Sequence, residues 1–404
     1  MKKRTSLIVM FLAFMLCLGF LSTGYDFITK RNDSYAFAFD KGSQIQEAGV
    51  CSKSSILRDA ETGTIIQERN ADEKLPIASM CKIMTLLLVF EKVDAGDVSL
   101  YDTVCVSENA SGMGGSQVFL ETNGNYTVSE LIKSVVVASA NDASVALAEH
   151  CYGSEEQFVS KMNERASELG MNNTVFVNCT GLPKVGQFSC ARDVSVMFSE
   201  LITHKKYFDY SKIWTDKVEH GEGRITEISN TNKLVRFYNG CDGGKTGYTH
   251  EAGHCLTATA QRNGTRLISV VISAPDGKTR FKETSEMFNY GFANYCNKLI
   301  VNSADVLNEK AVVSKSDKNE IAVRPQKDVF AFGKIGEKHE YEIVTSFNEN
   351  LIAPIIKGEI VGKISVYEKG VEIYSTNVIA DENADVLSYG KALEKIGKDW
   401  STFK

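Results

Sequence analysis

Three short stretches hold the side chains that could do covalent chemistry. They are Ser79 and Lys82 in "IASMCKIMTLLLVFEK" (77–92), Ser139 and Asn141 in "VVVASANDASVALAEH", and Lys245, Thr246 and Gly247 in "GGKTGYTHEAGHCLTATA" (243–260). A serine hydroxyl is a weak nucleophile until a neighbouring base takes its proton. Lys82 is spaced to be that base. Nearly every residue from Ile83 to Phe90 is apolar, so this helix is expected to be buried on all sides. A lysine three positions after the serine shares its face at the helix N-terminus, where dipole and desolvation both lower an ammonium pKa. Alone, S-x-x-K is weak, because an N-capping serine followed by a lysine that reaches solvent gives the same letters. The company is what makes it specific. Ser139-Ala140-Asn141 puts a polar S-x-N between two apolar helical runs, and Lys245-Thr246-Gly247 precedes a strand-like run, its glycine leaving room for a substrate along the strand edge.

The third stretch also contains a competing signature. His250-Glu251-Ala252-Gly253-His254 reads H-E-x-x-H, which on a helix would offer two imidazoles to zinc with the glutamate as base. Gly243, Gly244, Gly247 and Gly253 crowd the segment and a strand-like "CLTATAQ" follows, so a hairpin is expected instead. Histidines there lack the helical i, i+4 geometry, and no third ligand helix accompanies them. Neither a metal nor a cofactor is expected.

The elements that must position these residues are legible in outline. "ILRDAETGTIIQERNADEKLPIAS" reads as two strands joined at Glu61-Thr62-Gly63, leading into a helix that begins near Ser79. Helical segments follow, including "SELIKSVVVASANDASVALAEHCYG" and "SEEQFVSKMNERASELGM". Strands return at "CLTATAQ" and "TRLISVVISA" around Arg262-Asn263-Gly264, and a helix, "GKTRFKETSEMFNYGFANYC", closes the unit. Strands, helices, then strands and a helix imply an α+β domain with an antiparallel sheet and a helical insert. After about Asn297 short β-rich runs with turns at Gly336 and Gly370 suggest a small all-β domain, and the tail from Asp381 turns helical.

A net charge of −6 gives no footprint for nucleic acid. At the N-terminus Lys2, Lys3 and Arg4 precede the apolar run Leu7 to Leu21, fifteen residues where a bilayer span takes about 20. The pattern is that of an export signal, with candidate cleavage sites after Gly24 or Ala38; an uncleaved anchor would equally place the body outside the cytoplasm. Cys17 lies in that segment, and the other nine cysteines are an odd, scattered set without a C-x-x-C, so at least one thiol is free or paired between chains. In the tail, Val386, Tyr389, Leu393, Ile396, Trp400 and Phe403 recur at helical spacing with Lys391, Lys395 and Lys398 on the remaining surface. That suits a helix lying in a membrane interface, or one docked on its own β domain.

The three motifs, in this order, resemble those of the serine-type D-alanyl-D-alanine carboxypeptidases, the low-molecular-mass penicillin-binding proteins of the bacterial cell wall. The resemblance extends to "FVNCTGLPKVGQFSCARDVSVM", similar to the family's N-x-x-G-L loop and following helix, and to "NLIAPIIKGEIVGKISVY", similar to its C-terminal β domain. Cys81 stands where threonine is common, and Gly244 where an apolar residue is common. The resemblance implies a penicillin-binding/β-lactamase-like catalytic domain, an antiparallel sheet flanked by helices with a helical subdomain, plus the small all-β domain. The boundaries implied are 1–38 for signal and leader, 39–296 for the catalytic domain, 297–382 for the β-rich domain and 383–404 for the amphipathic tail. It also implies roles. Ser79 would attack the carbonyl between two terminal D-alanines of a peptidoglycan pentapeptide with Lys82 as base. Ser139 would relay protons with Lys245, and Asn141 would hold the substrate amide and Lys82. The backbone N–H groups of Ser79 and Tyr248 would form the oxyanion hole, Thr246 and Arg280 would bind the free carboxylate, and Lys245 and Gly247 would line the substrate site with them. β-Lactams would be covalent inhibitors, and the tail would meet the outer face of the cytoplasmic membrane.

Three rivals share the scaffold. A class A β-lactamase needs a deacylating glutamate, and none occurs between Leu169 and Ser199. An endopeptidase or transpeptidase would not demand a free carboxylate. A catalytically dead wall-binding protein would not keep Ser79, Lys82, Ser139 and Lys245 together.

Overall fold

A computed structural model describes residues 52–337 and 339–393. The leader with its two cleavage sites and the tail after Leu393 lie outside the described residues. β1 (Ser54–Asp59) and β2 (Ile65–Arg69) form the expected hairpin, with Gly63 at φ +74° in its turn. The chain then makes one 3-10 turn, Ala78–Cys81, before α1 (Lys82–Ala95), so Ser79 sits just ahead of the α-helix and not on it. Every side chain of α1 from Lys82 to Phe90 is buried, as the unbroken apolar run requires.

β3 (Thr103–Cys105) and β4 (Asn125–Thr127) make a short ladder that feeds α2 (Val128–Ala138). Thr127 and Glu130 form a reciprocal capping box there, which starts the helix at a defined residue. α3 (Asn141–Tyr152) and α4 (Glu155–Glu168) follow, and α5 (Ala191–Leu201) returns the chain toward the sheet. β5 (Thr215–Glu219) and β6 (Ile225–Ser229) form a second short hairpin. β7 (Cys241–Thr249), β8 (Gly253–Arg262) and β9 (Thr265–Ala274) complete a five-stranded antiparallel sheet in the order β2-β1-β9-β8-β7. Asn263 and Gly264, at φ +49° and +80°, make the tight turn between β8 and β9. The central strands are apolar on both faces because both are covered, by α5 on one side and by α6 (Gly277–Asn294) on the other.

α6 ends two residues before the expected Cys296, and Tyr295 and Cys296 already belong to β10 (Tyr295–Val301). Then come β11 (Lys310–Val312), β12 (Glu320–Pro325), β13 (Val329–Lys334), β14 (Tyr341–Phe347), β15 (Ile360–Glu368) and β16 (Val371–Ala380). β10 pairs with β13, and the others form an antiparallel sheet ordered β11-β12-β16-β15-β14 over its own apolar core. Asn297 Nδ2 donates to the buried Asp59 Oδ1 at 2.6 Å, tying this β unit to the catalytic sheet. The helix expected from Asp381 starts later. Ala384 and Val386 still pair with Ile355 and Ser316, Leu387 N donates to the Lys315 carbonyl, and helix begins only at Tyr389.

Candidate active site

Ser79 is partly exposed on its 3-10 turn, and no side-chain cap accounts for it. Lys82 Nζ donates to Ser79 Oγ at 3.0 Å and to the Thr180 carbonyl at 2.5 Å. The lysine is fully buried and does not reach solvent. Burial pulls its pKa down to about 8, partly opposed by Cys81, Cys179 and Asp142. The turn itself is strained: Ala78 has φ +47°, a left-handed conformation that a residue with a Cβ adopts only when its surroundings impose it. Two glycines let the neighbouring segments close in on it. A Cβ on Gly181 would lie 2.0 Å from the Ala78 carbonyl oxygen, and one on Gly247 2.7 Å from the Ile77 carbonyl oxygen and 3.3 Å from Ser79 N.

Ser139 closes α2 in the left-handed conformation, φ +63°, which turns the chain into α3 and aims its hydroxyl across the cleft. Lys245 Nζ donates to Ser139 Oγ at 2.6 Å. Burial holds the Lys245 ammonium well below the usual lysine range, and Lys82 and Arg280 push in the same direction. Asn141 sits at the start of α3 with Nδ2 on the Gly114 carbonyl at 2.6 Å, while its Oδ1 is buried without a partner. It does not hold Lys82, whose proton donors go to Ser79 and Thr180. The unpartnered Oδ1 leaves an acceptor for a substrate amide.

β7 carries the K-T-G residues on the edge of the sheet, where alternate backbone N–H groups have no ladder partner. A Cβ placed on Gly247 would stand 3.3 Å from Ser79 N, so the two segments proposed for the oxyanion hole, Ser79 and the Tyr248 strand, run side by side. Thr246 is buried beside Lys245. Arg280, on the first turn of α6, lies behind the strand: Nη1 donates to the carbonyls of Gly247 (3.0 Å) and Cys255 (3.1 Å), and Nε is buried unpartnered. The H-E-x-x-H letters fall across a hairpin, with His250 in the turn after β7 and His254 in β8, paired with Tyr248 and stacked on its ring at 4.4 Å. The two imidazoles share no helix face.

Several positioning residues escaped sequence reasoning. Thr180 contributes only a carbonyl, which no side-chain motif signals. The neighbouring strand explains the glycine at 244: at φ +147° a Cβ there would stand 2.4 Å from the Thr257 carbonyl oxygen and 2.7 Å from Asn232 Nδ2, which bonds the Gly243 carbonyl at 3.2 Å. The buried Tyr207 hydroxyl accepts from Gly244 N at 3.0 Å behind the same strand. Cys81 is buried with its Sγ donating to the Asn178 carbonyl at 3.2 Å, and burial pushes its thiol up to about 12. Among the described residues eight cysteines are free thiols, five of them buried.

Residues 41–276 match the family described as D-alanyl-D-alanine carboxypeptidase, and residues 296–385 match the C-terminal domain of penicillin-binding protein 5. The D-alanyl-D-alanine carboxypeptidase DacF of Bacillus subtilis is 36% identical over 91% of this chain and 95% of its own length. DacC of Escherichia coli is 33% identical over 86% and 88%. Penicillin-binding protein 5 of Haemophilus influenzae superposes with a TM-score of 0.67 at 29% identity, covering 85% of this chain and all of that one. Penicillin-binding protein D2 of Listeria monocytogenes, solved in its ampicillin-bound form, gives 0.54 at 32% identity over 60% of this chain and 97% of its own. With this fold and these three motifs meeting in one cleft, the chain belongs to the D-alanyl-D-alanine carboxypeptidase family of serine peptidases, the low-molecular-mass penicillin-binding proteins.

Proposed function

We propose that the protein removes the terminal D-alanine from peptidoglycan stem peptides through an acyl-enzyme on Ser79, and that β-lactams acylate the same serine. The observation that carries this is the 3.0 Å bond between Ser79 Oγ and a buried Lys82 whose pKa lies near 8, low enough for a fraction of the amine to be free at neutral pH. Lys82 takes the hydroxyl proton as Oγ attacks the carbonyl. The N–H groups of Ser79 and Tyr248 receive the oxyanion, and the Ser139–Lys245 pair passes a proton to the leaving amine. The preference for a free carboxylate has its own support. Lys82, Lys245 and Arg280 are drawn together, their ammonium and guanidinium forms disfavoured by burial, and among the described residues none is ion-paired. A substrate carboxylate held by Thr246 and Arg280 would be their first counter-ion.

Hydrolysis of a penicilloyl enzyme lacks support. Asp142, the acid that acts on Lys82, spends its oxygens on the backbone N–H groups of Val118, Leu120 and Ala143. We assign residues 1–38 to an export leader, 39–296 and 297–382 to the catalytic and β-rich domains, and 383–404 to a tail that meets the outer face of the cytoplasmic membrane. Exposed Val386, Tyr389 and Leu393 support the last assignment. No helix among the described residues is long and apolar enough to cross a membrane.

The deciding experiment is mass spectrometry of the purified protein after labelled penicillin, with and without a chelator. A stable adduct on Ser79 that ignores the chelator is expected, and Ser79→Ala should lose both the adduct and D-alanine release from a peptide ending in D-Ala-D-Ala. Labelling that persists in Ser79→Ala would remove the nucleophile from this scheme.

A further inference from the structure

The loop facing α1 does more than close the cleft. Three successive carbonyls of it receive donors from the nucleophile-bearing segment: Asn178 O from Cys81 Sγ, Cys179 O from Thr85 Oγ1 at 2.7 Å, and Thr180 O from Lys82 Nζ. For a lysine tail with four rotatable bonds, two acceptors at fixed points are what select one rotamer. One is the nucleophile itself. The other is a main-chain oxygen, whose place depends on whatever folds the loop.

That fold is held by two side chains. Asn178 Oδ1 accepts from Gly181 N (2.7 Å), Thr180 N (3.2 Å) and Thr180 Oγ1 (3.2 Å), while its Nδ2 donates to the Leu182 carbonyl at 2.9 Å. Gln187 braces it from the returning chain: Oε1 accepts from Val177 N (2.9 Å) and Asn178 N (3.0 Å), and Nε2 donates to Asn178 Oδ1 at 3.3 Å. The turn so formed also presses Gly181 against Ala78, the residue before the nucleophile.

We propose that Asn178, braced by Gln187, is the positioning residue for the general base: its side chain folds the 178–181 turn so that the Thr180 carbonyl orients Lys82 toward Ser79 and stabilises its charged form. The inference rests on Lys82 being the base for acylation of Ser79. A carbonyl accepting from an ammonium favours the protonated state, against the burial that disfavours it. The other groups acting on Lys82 are Cys81 beside it, Cys179 on the loop and Asp142 on α3, with Lys245 on β7 coupled to it. Glu155 of α4 stands behind the loop, accepting from Cys179 N at 3.1 Å.

The test is the pH dependence of the second-order rate of penicillin acylation, with thermal unfolding recorded alongside. In Asn178→Ala the acid limb moves to lower pH, because the desolvated ammonium has lost its acceptor, and the plateau falls about tenfold or more, since a base displaced by about 1 Å is costly. Gln187→Met, which keeps the bulk and loses the brace, shifts the limb in the same direction by less. Asn178→Asp keeps the acceptor oxygen, retains more of the plateau than the alanine variant and moves the limb to higher pH, because it adds a negative charge near the ammonium. These opposite displacements are the signature of positioning, and they can be read from Asn178→Asp and Gln187→Met even if Asn178→Ala does not fold. An acid limb that stays put in the folded variants, whatever happens to the plateau, overturns the proposal. Failure of the wild type to acylate on Ser79 would instead overturn the functional reading beneath it.

Discussion

At the scale of single residues, the site works by keeping amines dry. Among the described residues Lys82 is the only base bonded to Ser79, so Lys82→Ala should fold yet lose acylation by at least about a hundredfold, the usual worth of a positioned general base; near-normal labelling would exclude it. With the proposed base acting as a free amine of pKa about 8, acylation should rise as pH increases through neutrality and level off above about 8. Stopped labelling between pH 6 and 9 checks this, and a rate that falls over that range would contradict a lysine base. Cys81 lies between nucleophile and base but faces the Asn178 carbonyl, and its raised pKa leaves it a thiol. Cys81→Thr supplies another donor to that carbonyl and should keep most acylation, and iodoacetamide applied to the folded protein should leave Ser79 reactive. Arg280 makes a different demand: amidating the terminal carboxylate of a peptide substrate should cost the wild type activity and matter much less in Arg280→Ala. Equal cleavage of amidated and free peptides by the wild type would identify an endopeptidase.

At the scale of elements, the proposed nucleophile is held by what is missing from its neighbours. The 178–181 loop and β7 approach the 3-10 turn as closely as they do because Gly181 and Gly247 present no Cβ. Gly181→Ala combines a left-handed backbone, φ +81°, with a clash against Ala78. It should destabilise the fold by more than about 1–2 kcal/mol and reduce acylation. Gly153→Ala is the matched control: at φ +84° after α3 it has nothing within 4 Å, so it should carry the conformational cost of roughly 1 kcal/mol and leave acylation unchanged. Thermal melts and labelling rates on both variants separate strain from lost geometry. Equal effects on acylation would show that the close approach at Gly181 is immaterial.

At the scale of the molecule, the catalytic sheet and the β-rich unit are joined through Asp59 and Asn297. Asp385 and Leu387 still donate to Asp317 and Lys315, so a truncation meant to probe the tail must cut after Ser388. Without its leader, the chain ending there should float less with anionic vesicles than the longer one, while both label equally with penicillin. Equal flotation would count against a membrane-facing tail.

The sequence by itself determined much of this protein, because its chemistry is local in spelling. S-x-x-K, S-x-N and K-T-G mark Ser79, Lys82, Ser139 and Lys245, the unbroken apolar run of 83–90 marks a buried helix, and the glycines around His250 argue for a hairpin where the letters suggested zinc. The alternating runs after Asn297 likewise mark the second sheet. Tertiary structure alone decided what backbone groups do. That Thr180 offers a carbonyl to Lys82, that Asn141 reaches Gly114 and not Lys82, and that the Thr257 carbonyl and Asn232 fill the space beside Gly244 all depend on segments distant in the chain meeting at atomic contact. Side-chain type is written in the sequence, whereas the position of a main-chain oxygen is set by the packing around it, and every residue has one.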